Sequence, residues 1–214
     1  MEYSFVKNGK QPLCVIGDPV AHSLSPAIYN PLIEKYGLNA QYGVMRVPRG
    51  DLPRFLAEAA AQGVAGFNAT MPHKRDLLAL VEGLGPSAQL HGSVNTVVRR
   101  EGRWIGHSTD GEGFTLSLRR HGLEPSGLRA VLMGAGGAAG AIALQLAQEG
   151  VGSLAILNRS VEKAENLGTG ENRPFCPVWF HGGGGTGKGG PGGRSAHQRH
   201  SSGYGGLRGE FSLL

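Results

Sequence analysis

The sequence predicts a mixed α/β protein with mostly parallel sheets, arranged in two units that meet near residue 110. Short apolar runs alternate with helical patterns along residues 12–167, as in α/β folds. A glycine-rich turn separates a strand from a helix in the second half of this region. The 214 residues suit one large or two small domains at about 100–200 residues each, and no apolar run reaches the ~20 residues of a membrane span.

The first unit, residues 1–109, is predicted to contain strands at 12–17, 41–47 and 64–70, helices at 26–36 and 52–61, and a hairpin that pairs 93–99 with 103–107. Ser25 is expected to cap the first helix, with Pro26 at its first position. Pro72 suits the opening of a further helix. The second unit, residues 110–167, is predicted to continue with a helix at 111–121, a strand at 130–133, a helix at 138–149 and a strand at 154–157.

Residues 168–214 differ in composition from the rest of the chain. They hold 15 of the 37 glycines and contribute +3 of the net charge of +5, so the basic pI near 9.5 belongs mostly to this tail. Without periodicity of either kind, the tail is predicted to be irregular and disordered. Its five spaced cations and single tyrosine offer little charge density or stacking surface, so we expect no nucleic-acid partner.

Cysteine and histidine usage limits the other classes. Two cysteines, Cys14 and Cys176, make no disulfide framework, which favours a reducing, cytoplasmic setting. The tail histidines lack organised cysteine or carboxylate spacing, so no metal site is predicted. The absence of a membrane span and of a signal-peptide pattern argues against a membrane partner.

The glycine turn is the clearest chemical signal. In Gly134-x-Gly136-x-x-Ala139 the first glycine permits a tight turn, the second allows close approach of a pyrophosphate, and the small third residue lets helix and strand pack. At the end of the next strand, Arg159 and Lys163 favour the 2′-phosphate of NADP over the ribose hydroxyls of NAD. The alternative is a capped helix with solvated charges.

A second cluster, Asn68 to Lys74, follows a predicted strand whose carboxyl end is a typical ligand position. Lys74 suits proton transfer or anion binding, although a lysine at a helix start is most often solvated. Asp110 on its own suits an N-cap, and Asn95 suits a polar strand position. No single residue compels a site.

The order of the motifs is more specific than any one of them. Ser-x-Ser-Pro, Asn-x-Thr-x-Pro-x-Lys, Val-Asn-Thr, Ser-Thr-Asp-Gly, Gly-x-Gly-Gly-Ala and Asn-Arg-Ser follow one another along residues 12–167. This series closely resembles the shikimate dehydrogenase family. The resemblance implies a substrate domain followed by a Rossmann-type domain, and reversible NADPH-dependent reduction of 3-dehydroshikimate to shikimate in aromatic amino-acid biosynthesis.

The resemblance also implies roles for matching positions. Ser23 and Ser25 match serines that bind the substrate carboxylate, and Thr70, Lys74, Asn95 and Asp110 match positions that hold its ring hydroxyls. Lys74 and Asp110 match the catalytic pair. The positions matching cofactor-binding segments are Gly134, Ala135, Gly136, Gly137, Ala138, Asn158, Arg159, Ser160 and Lys163.

The sequence departs from the family's pattern in places, and alternatives to this hypothesis remain. Ser93 and Ser108 replace the family's common alanine and asparagine, and the tail matches nothing in the family, which predicts truncation or a frameshift after about residue 167. We therefore expect little or no dehydrogenase activity, because one strand, one helix and a second strand cannot cover their own sheet. The alternatives are a quinate/shikimate dehydrogenase that uses NAD, or a non-catalytic shikimate-binding remnant. A homodimer is left open.

Overall fold

The computed structural model describes residues 3–5, 8–168, 178–182 and 212–213, and these residues contain two separate β-sheets. The first sheet has six strands and is built from residues before Asp110. The second has four strands and is built from residues after Arg120. The predicted mixed α/β class with parallel strands is confirmed.

The first sheet is formed by β1 (Gln11–Gly17), β2 (Ala40–Arg46), β3 (Gly66–Ala69), β4 (Gly83–Leu84), β5 (Thr96–Arg100) and β6 (Arg103–His107). Its helices are α1 (Ser25–Lys35), α2 (Leu52–Ala61), α3 (Leu77–Leu80) and α4 (Pro86–His91). The second region contains α5 (Asp110–Arg120), β7 (Arg129–Met133), α6 (Ala139–Gln148), β8 (Ser153–Asn158), α7 (Val161–Gly168), β9 (Val178–Gly182) and β10 (Ser212–Leu213).

The order of strands in the first sheet creates a crevice. The order is β2-β1-β3-β5-β6-β4, and β1 runs parallel to both of its neighbours. The chain therefore leaves β1 toward one side of the sheet and leaves β3 toward the other. Open α/β sheets bind ligands at such a switch point, outside the carboxyl ends of the strands.

One core lies beneath the first sheet and is rich in aromatic rings. Phe55 of α2 is fully buried and meets Tyr3 and Phe67 edge to face, with centroid distances of 5.4 and 5.1 Å. Phe67 in turn meets Trp104 at 5.5 Å. Apolar residues at helical spacing on α2 turn one face toward the sheet, so burial of that face anchors α2.

Two local expectations for the first unit are wrong. Residues 71–76 form turns, so Pro72 opens no helix, and α3 begins only at Leu77. The His73 amide donates to the Thr70 carbonyl at 3.0 Å, which closes a turn at the strand end. Helix α1 begins at Ser25, with Leu24 as its N-cap and no side-chain cap, so Ser25 does not cap it.

The second sheet extends further than the periodicity indicated. Its order is β10-β7-β8-β9 with all strands parallel, and β9 lies in the stretch predicted to be irregular. Val178, Trp179 and Phe180 are strong strand formers, and the edge of β8 offers them unpaired backbone groups. Apart from β9 and β10, the tail predicted to be disordered and out of frame lies outside the described residues.

Within the described part of the chain, no helix combines the length and apolar character needed to cross a bilayer.

The two sheets are connected by α5, which packs against α6 at a glycine. A Cβ atom at Gly111 would lie 2.7 Å from the Ala141 carbonyl oxygen and 2.8 Å from both the Gln145 Cβ and the His91 Cε1. A carbonyl oxygen in a helix cannot move aside without distorting that helix. The close approach of α5 to α6 therefore requires glycine at this position.

We expect Gly111→Ala to destabilise the chain by about 1–3 kcal/mol, because the added methyl overpacks a backbone contact. Gly113→Ala is the matched control: it lies in the same helix, nothing lies within 4 Å of its Cβ position, and it should stabilise by up to about 1 kcal/mol. Urea unfolding followed by tryptophan fluorescence measures both changes. Equal free energies of unfolding for the two variants would contradict the tight α5–α6 contact.

Candidate active site

A cavity of about 480 Å³ opens in the crevice beyond the carboxyl ends of β1 and β3. The six residues that the sequence suggested for substrate binding all line it: Ser23, Ser25, Thr70, Lys74, Asn95 and Asp110. They come from the loop after β1, the turn after β3, the residue before β5 and the start of α5. Strand order thus gathers side chains that are far apart in the chain.

An ion pair forms one wall of this cavity. Lys74 Nζ lies 2.6 Å from Asp110 Oδ2, and the two side chains are only 17% and 18% exposed. Partial burial lowers the local dielectric constant and strengthens the attraction relative to a surface pair. Asp110 is the first residue of α5 and Thr109 is its N-cap, so the predicted capping role of Asp110 is wrong and its carboxylate faces the lysine.

Asn95 holds the other oxygen of this carboxylate. Its Nδ2 donates to Asp110 Oδ1 at 2.7 Å, while its Oδ1 accepts the Thr109 amide at 2.9 Å. Both carboxylate oxygens of Asp110 are therefore engaged, one by a cation and one by an amide. This arrangement fixes the position of the Lys74 ammonium at the cavity wall.

The two serines lie at the N-terminus of α1. Ser23 Oγ donates to Ser25 Oγ at 3.1 Å and accepts the Ser25 amide at 3.3 Å. Both hydroxyls line the cavity, whereas the Ser25 amide is bonded to Ser23 Oγ, Pro26 has no amide N–H, and the Ile28 amide is bonded to the Leu24 carbonyl. The two hydroxyls are the donors that suit a carboxylate here.

Eight of the fourteen lining residues received no role from the sequence, among them Asn68, Tyr29 and His22. Asn68 accepts a hydrogen bond from the Tyr42 hydroxyl at 2.6 Å and donates to Thr96 Oγ1 at 3.0 Å. Tyr29 also lines the cavity and stacks on Tyr42 at 4.5 Å between centroids, and His22 lies nearby on the wall. Only Asn68 could have been found from the sequence, because it lies in the predicted strand that ends at Thr70. Nothing in the sequence marked Tyr29 or His22 as lining residues.

The glycine turn after β7 lines a second cavity of about 560 Å³. Gly134 has a φ of +105°, a conformation that favours glycine. A Cβ atom at Gly136 or Gly137 would meet nothing within 4 Å, so open space lies beside the backbone at the start of α6. The turn therefore fits the pyrophosphate of a dinucleotide, which needs exposed amides and close approach.

Only part of the suggested cofactor set faces this cavity. Ala135, Gly136, Gly137 and Lys163 line it, whereas Gly134, Ala138, Asn158, Arg159 and Ser160 do not. Asn158 instead supports the turn: its Oδ1 accepts the Ala135 amide at 3.3 Å, and its Nδ2 donates to the Ser160 carbonyl at 2.8 Å. Arg159 is exposed at the end of β8.

A buried polar cluster lies behind Asn95 and Asp110. His91 Nδ1 lies 3.0 Å from Ser108 Oγ, which is 3.4 Å from Ser93 Oγ. Burial lowers the pKa of His91, and the neighbouring Gln145 amide and Asp110 carboxylate oppose this shift in part. The imidazole is thus favoured in its neutral form.

We expect acid to weaken the fold through His91. Because the pKa of His91 is lower in the folded chain, the unfolded chain binds a proton at this imidazole more readily. The stability that the neutral imidazole contributes is therefore full above pH 6.5 and is lost as pH falls through the folded-state pKa. The difference in unfolding free energy between the parent chain and His91→Gln should shrink between pH 7.5 and 5.5. Urea titrations at each pH measure it, and a constant difference would refute the assignment.

Comparison with known proteins agrees with this architecture. Residues 15–97 match the family model of the shikimate dehydrogenase substrate binding domain. The NADP(+) shikimate dehydrogenase of Symbiobacterium thermophilum is 45% identical over 166 residues, which cover 78% of this chain and 56% of that protein. The chain thus spans little more than half the length of this curated relative.

Solved structures similar to this chain include a 5-ketofructose reductase and shikimate dehydrogenases. The 5-ketofructose reductase of Gluconobacter sp. strain CHM43 is 34% identical, with a TM-score of 0.75 over 82% of this chain and 64% of that one. Shikimate 5-dehydrogenase from Listeria monocytogenes, solved with shikimate and NAD, is 32% identical, with a TM-score of 0.74 over 84% and 64% of the two chains. The resemblance to shikimate dehydrogenases is confirmed.

Proposed function

We propose that the chain carries the active site of a shikimate dehydrogenase, with residues 1–109 as the substrate-binding domain and residues 110–167 as part of the NADP-binding domain, and that its turnover is weak, as expected from the sequence. One observation carries the proposal: Lys74 lines both the first cavity and the cavity beside the glycine turn. A ketone bound next to Lys74 would lie where a dinucleotide on the turn reaches the substrate. A proton donor is required at that junction.

The substrate chemistry fits the first cavity. Ser23 and Ser25, at the N-terminus of α1, would bind the carboxylate of 3-dehydroshikimate. Thr70, Asn95 and Asp110 would contact its ring oxygens from the opposite side. A carboxylate at one end and polar groups at the other define a single orientation of the ring.

Reduction needs a proton at the carbonyl oxygen. When bound, NADPH would supply a hydride to the carbonyl carbon, which moves negative charge onto the oxygen. The Lys74 ammonium stabilises that charge and donates a proton from Nζ. Asp110 orients the ammonium and holds its charge before transfer, while Asn95 keeps the carboxylate in place. In the reverse direction Lys74 accepts the proton.

The cofactor would bind along the glycine turn. The backbone of residues 134–138 would approach the pyrophosphate, and Lys163 would face it across the cavity. Arg159 and Ser160 would meet the 2′-phosphate from the end of β8, with Asn158 supporting the turn. The Arg159 guanidinium suits a phosphate better than it suits ribose hydroxyls alone.

We expect Lys74→Met to lower the rate of NADPH oxidation with 3-dehydroshikimate by about 10²–10⁴-fold, because the proton donor is lost. Asp110→Asn should lower it as well, since the ammonium loses its partner. The assay follows NADPH absorbance, and calorimetry gives shikimate affinity. Lys10→Met, far from the cavity, serves as the charge-matched control.

The two readouts separate the alternatives. Shikimate binding without turnover in the parent chain would favour the non-catalytic binding module, in line with the weak activity expected from the sequence. Absence of both binding and turnover would overturn the proposed function. Retention of full turnover in Lys74→Met would remove Lys74 from the chemistry.

We expect Arg159→Asp to weaken NADPH binding by roughly 10–100-fold, because a charged contact to the 2′-phosphate is replaced by repulsion. NADH affinity should change little. Arg100→Asp makes the same charge change at an exposed strand end away from both cavities and should leave both affinities unaltered. Equal effects on the two cofactors, or tighter NADH binding in the parent chain, would favour the NAD-using quinate/shikimate alternative.

The remaining assignments stay predictions. We propose small molecules as the partners, with neither nucleic acid nor membrane, and leave the homodimer to a measurement of mass in solution. We place the protein in the cytoplasm. Cys14 agrees with a structural thiol there, since burial raises its pKa to about 12 and keeps it protonated.

A further inference from the structure

Two arginines from the first unit line the second cavity together with the glycine turn. Arg49 follows β2, and Arg75 lies in the turns after β3, next to Lys74. Both line the cavity together with Gly136 and Gly137. No motif in the sequence singled out either arginine.

The charge of this cavity is unbalanced. Arg49, Arg75 and Lys163 form no ion pair with a carboxylate of the described residues, while Lys74 is paired with Asp110. Asp76 is the one carboxylate among the lining residues. The lining therefore carries an excess of positive charge, which favours an anion of at least two charges.

The two arginine-bearing segments are held in a fixed relation. His73, which is fully buried, lies with Nε2 2.8 Å from the Val47 carbonyl oxygen, so it links the segment before Arg49 to the turn before Arg75. The Pro48 carbonyl accepts the Asp51 amide at 3.1 Å, and the Lys74 carbonyl accepts the Val94 amide at 2.7 Å. Each arginine thus extends from backbone that is fixed on both sides.

His91 also lines the cavity and is 6% exposed, with the Gln145 side chain beside its ring. Burial lowers its pKa and favours the neutral imidazole, so the unpaired positive charge of the cavity comes from Arg49, Arg75 and Lys163.

The chemistry points to phosphate. A helix N-terminus offers only about half an elementary charge, less than a pyrophosphate needs. Guanidinium groups bind phosphate oxygens through two parallel N–H donors, which makes arginine better suited to this role than lysine. Arg49 and Arg75 would meet the side of the pyrophosphate that the amides of the turn leave exposed.

We propose that Arg49 and Arg75 are pyrophosphate-binding residues, so that a dinucleotide is held by the glycine turn on one side and by the substrate-binding domain on the other. The identity of the dinucleotide rests on the proposed function, whereas the anion site rests on the cavity itself. Cofactor binding would then draw the two domains together across Lys74.

The test uses inorganic pyrophosphate and NADPH as separate probes of the full 214-residue chain. Arg49→Gln, Arg75→Gln and the double variant are compared with Arg100→Gln as the matched control. Calorimetry at low and at moderate salt gives the affinities, and shikimate binding checks that the first cavity is intact. Both arginines are exposed, so their replacement should leave the fold unchanged.

We expect each substitution to weaken pyrophosphate binding by roughly 5–20-fold and the double variant by more, with a smaller salt dependence, while Arg100→Gln changes nothing. Unaltered pyrophosphate affinity in the double variant, or no saturable pyrophosphate binding by the parent chain, would overturn the proposal. NADPH binding is measured separately. If the chain binds pyrophosphate through the two arginines but does not bind NADPH, the cofactor assignment is refuted and the anion site stands.

Discussion

The ion pair between Lys74 and Asp110 is the contact on which the rest of the site depends. Its partners are 36 residues apart and lie on the turn after β3 and at the start of α5. Because α5 leads directly to the second sheet, the pair links the substrate cavity to the element that positions the cofactor region. Asn95 completes the arrangement by occupying the second carboxylate oxygen. A mostly buried ion pair stabilises a protein only when both partners are fixed in good geometry, because removing the charges from water is costly. Here the Lys74 carbonyl accepts the Val94 amide, and Asp110 lies in the first turn of α5.

The crevice around this pair follows from strand order. With β1 between two parallel neighbours, the loops after β1 and β3 must diverge, and the space between them becomes a cavity lined by loop side chains. The aromatic core beneath the sheet and the buried His73 make the loops a rigid wall. Rigid loops keep donors at fixed positions, which is what transition-state stabilisation requires.

The second cavity explains how two units can share one reaction. Lys74 lines both cavities, so the proposed substrate ketone and cofactor would meet beside that residue. Cations on the substrate side of the second cavity, Arg49 and Arg75, would make cofactor binding depend on both units. Gly111, the residue after Asp110, allows α5 and α6 to approach closely.

The sequence by itself determined the fold class and most element bounds, because apolar periodicity is a local property of a chain. The set of polar residues around Lys74 and Asp110 followed from the resemblance of the motif order to a known family. The sequence did not reveal that Asn95 holds the second carboxylate oxygen of Asp110, that Asn158 supports the glycine turn, or that Arg49 lines a cavity with that turn. It also missed β9, whose pairing depends on the free edge of β8 and not on periodicity. Such features arise from contacts between residues distant in sequence, and only strand order and helix packing bring those residues together. Tertiary structure therefore decided which of the suggested cofactor residues line the second cavity and that Arg49 and Arg75 line it with them, because strand order and helix packing place these segments side by side.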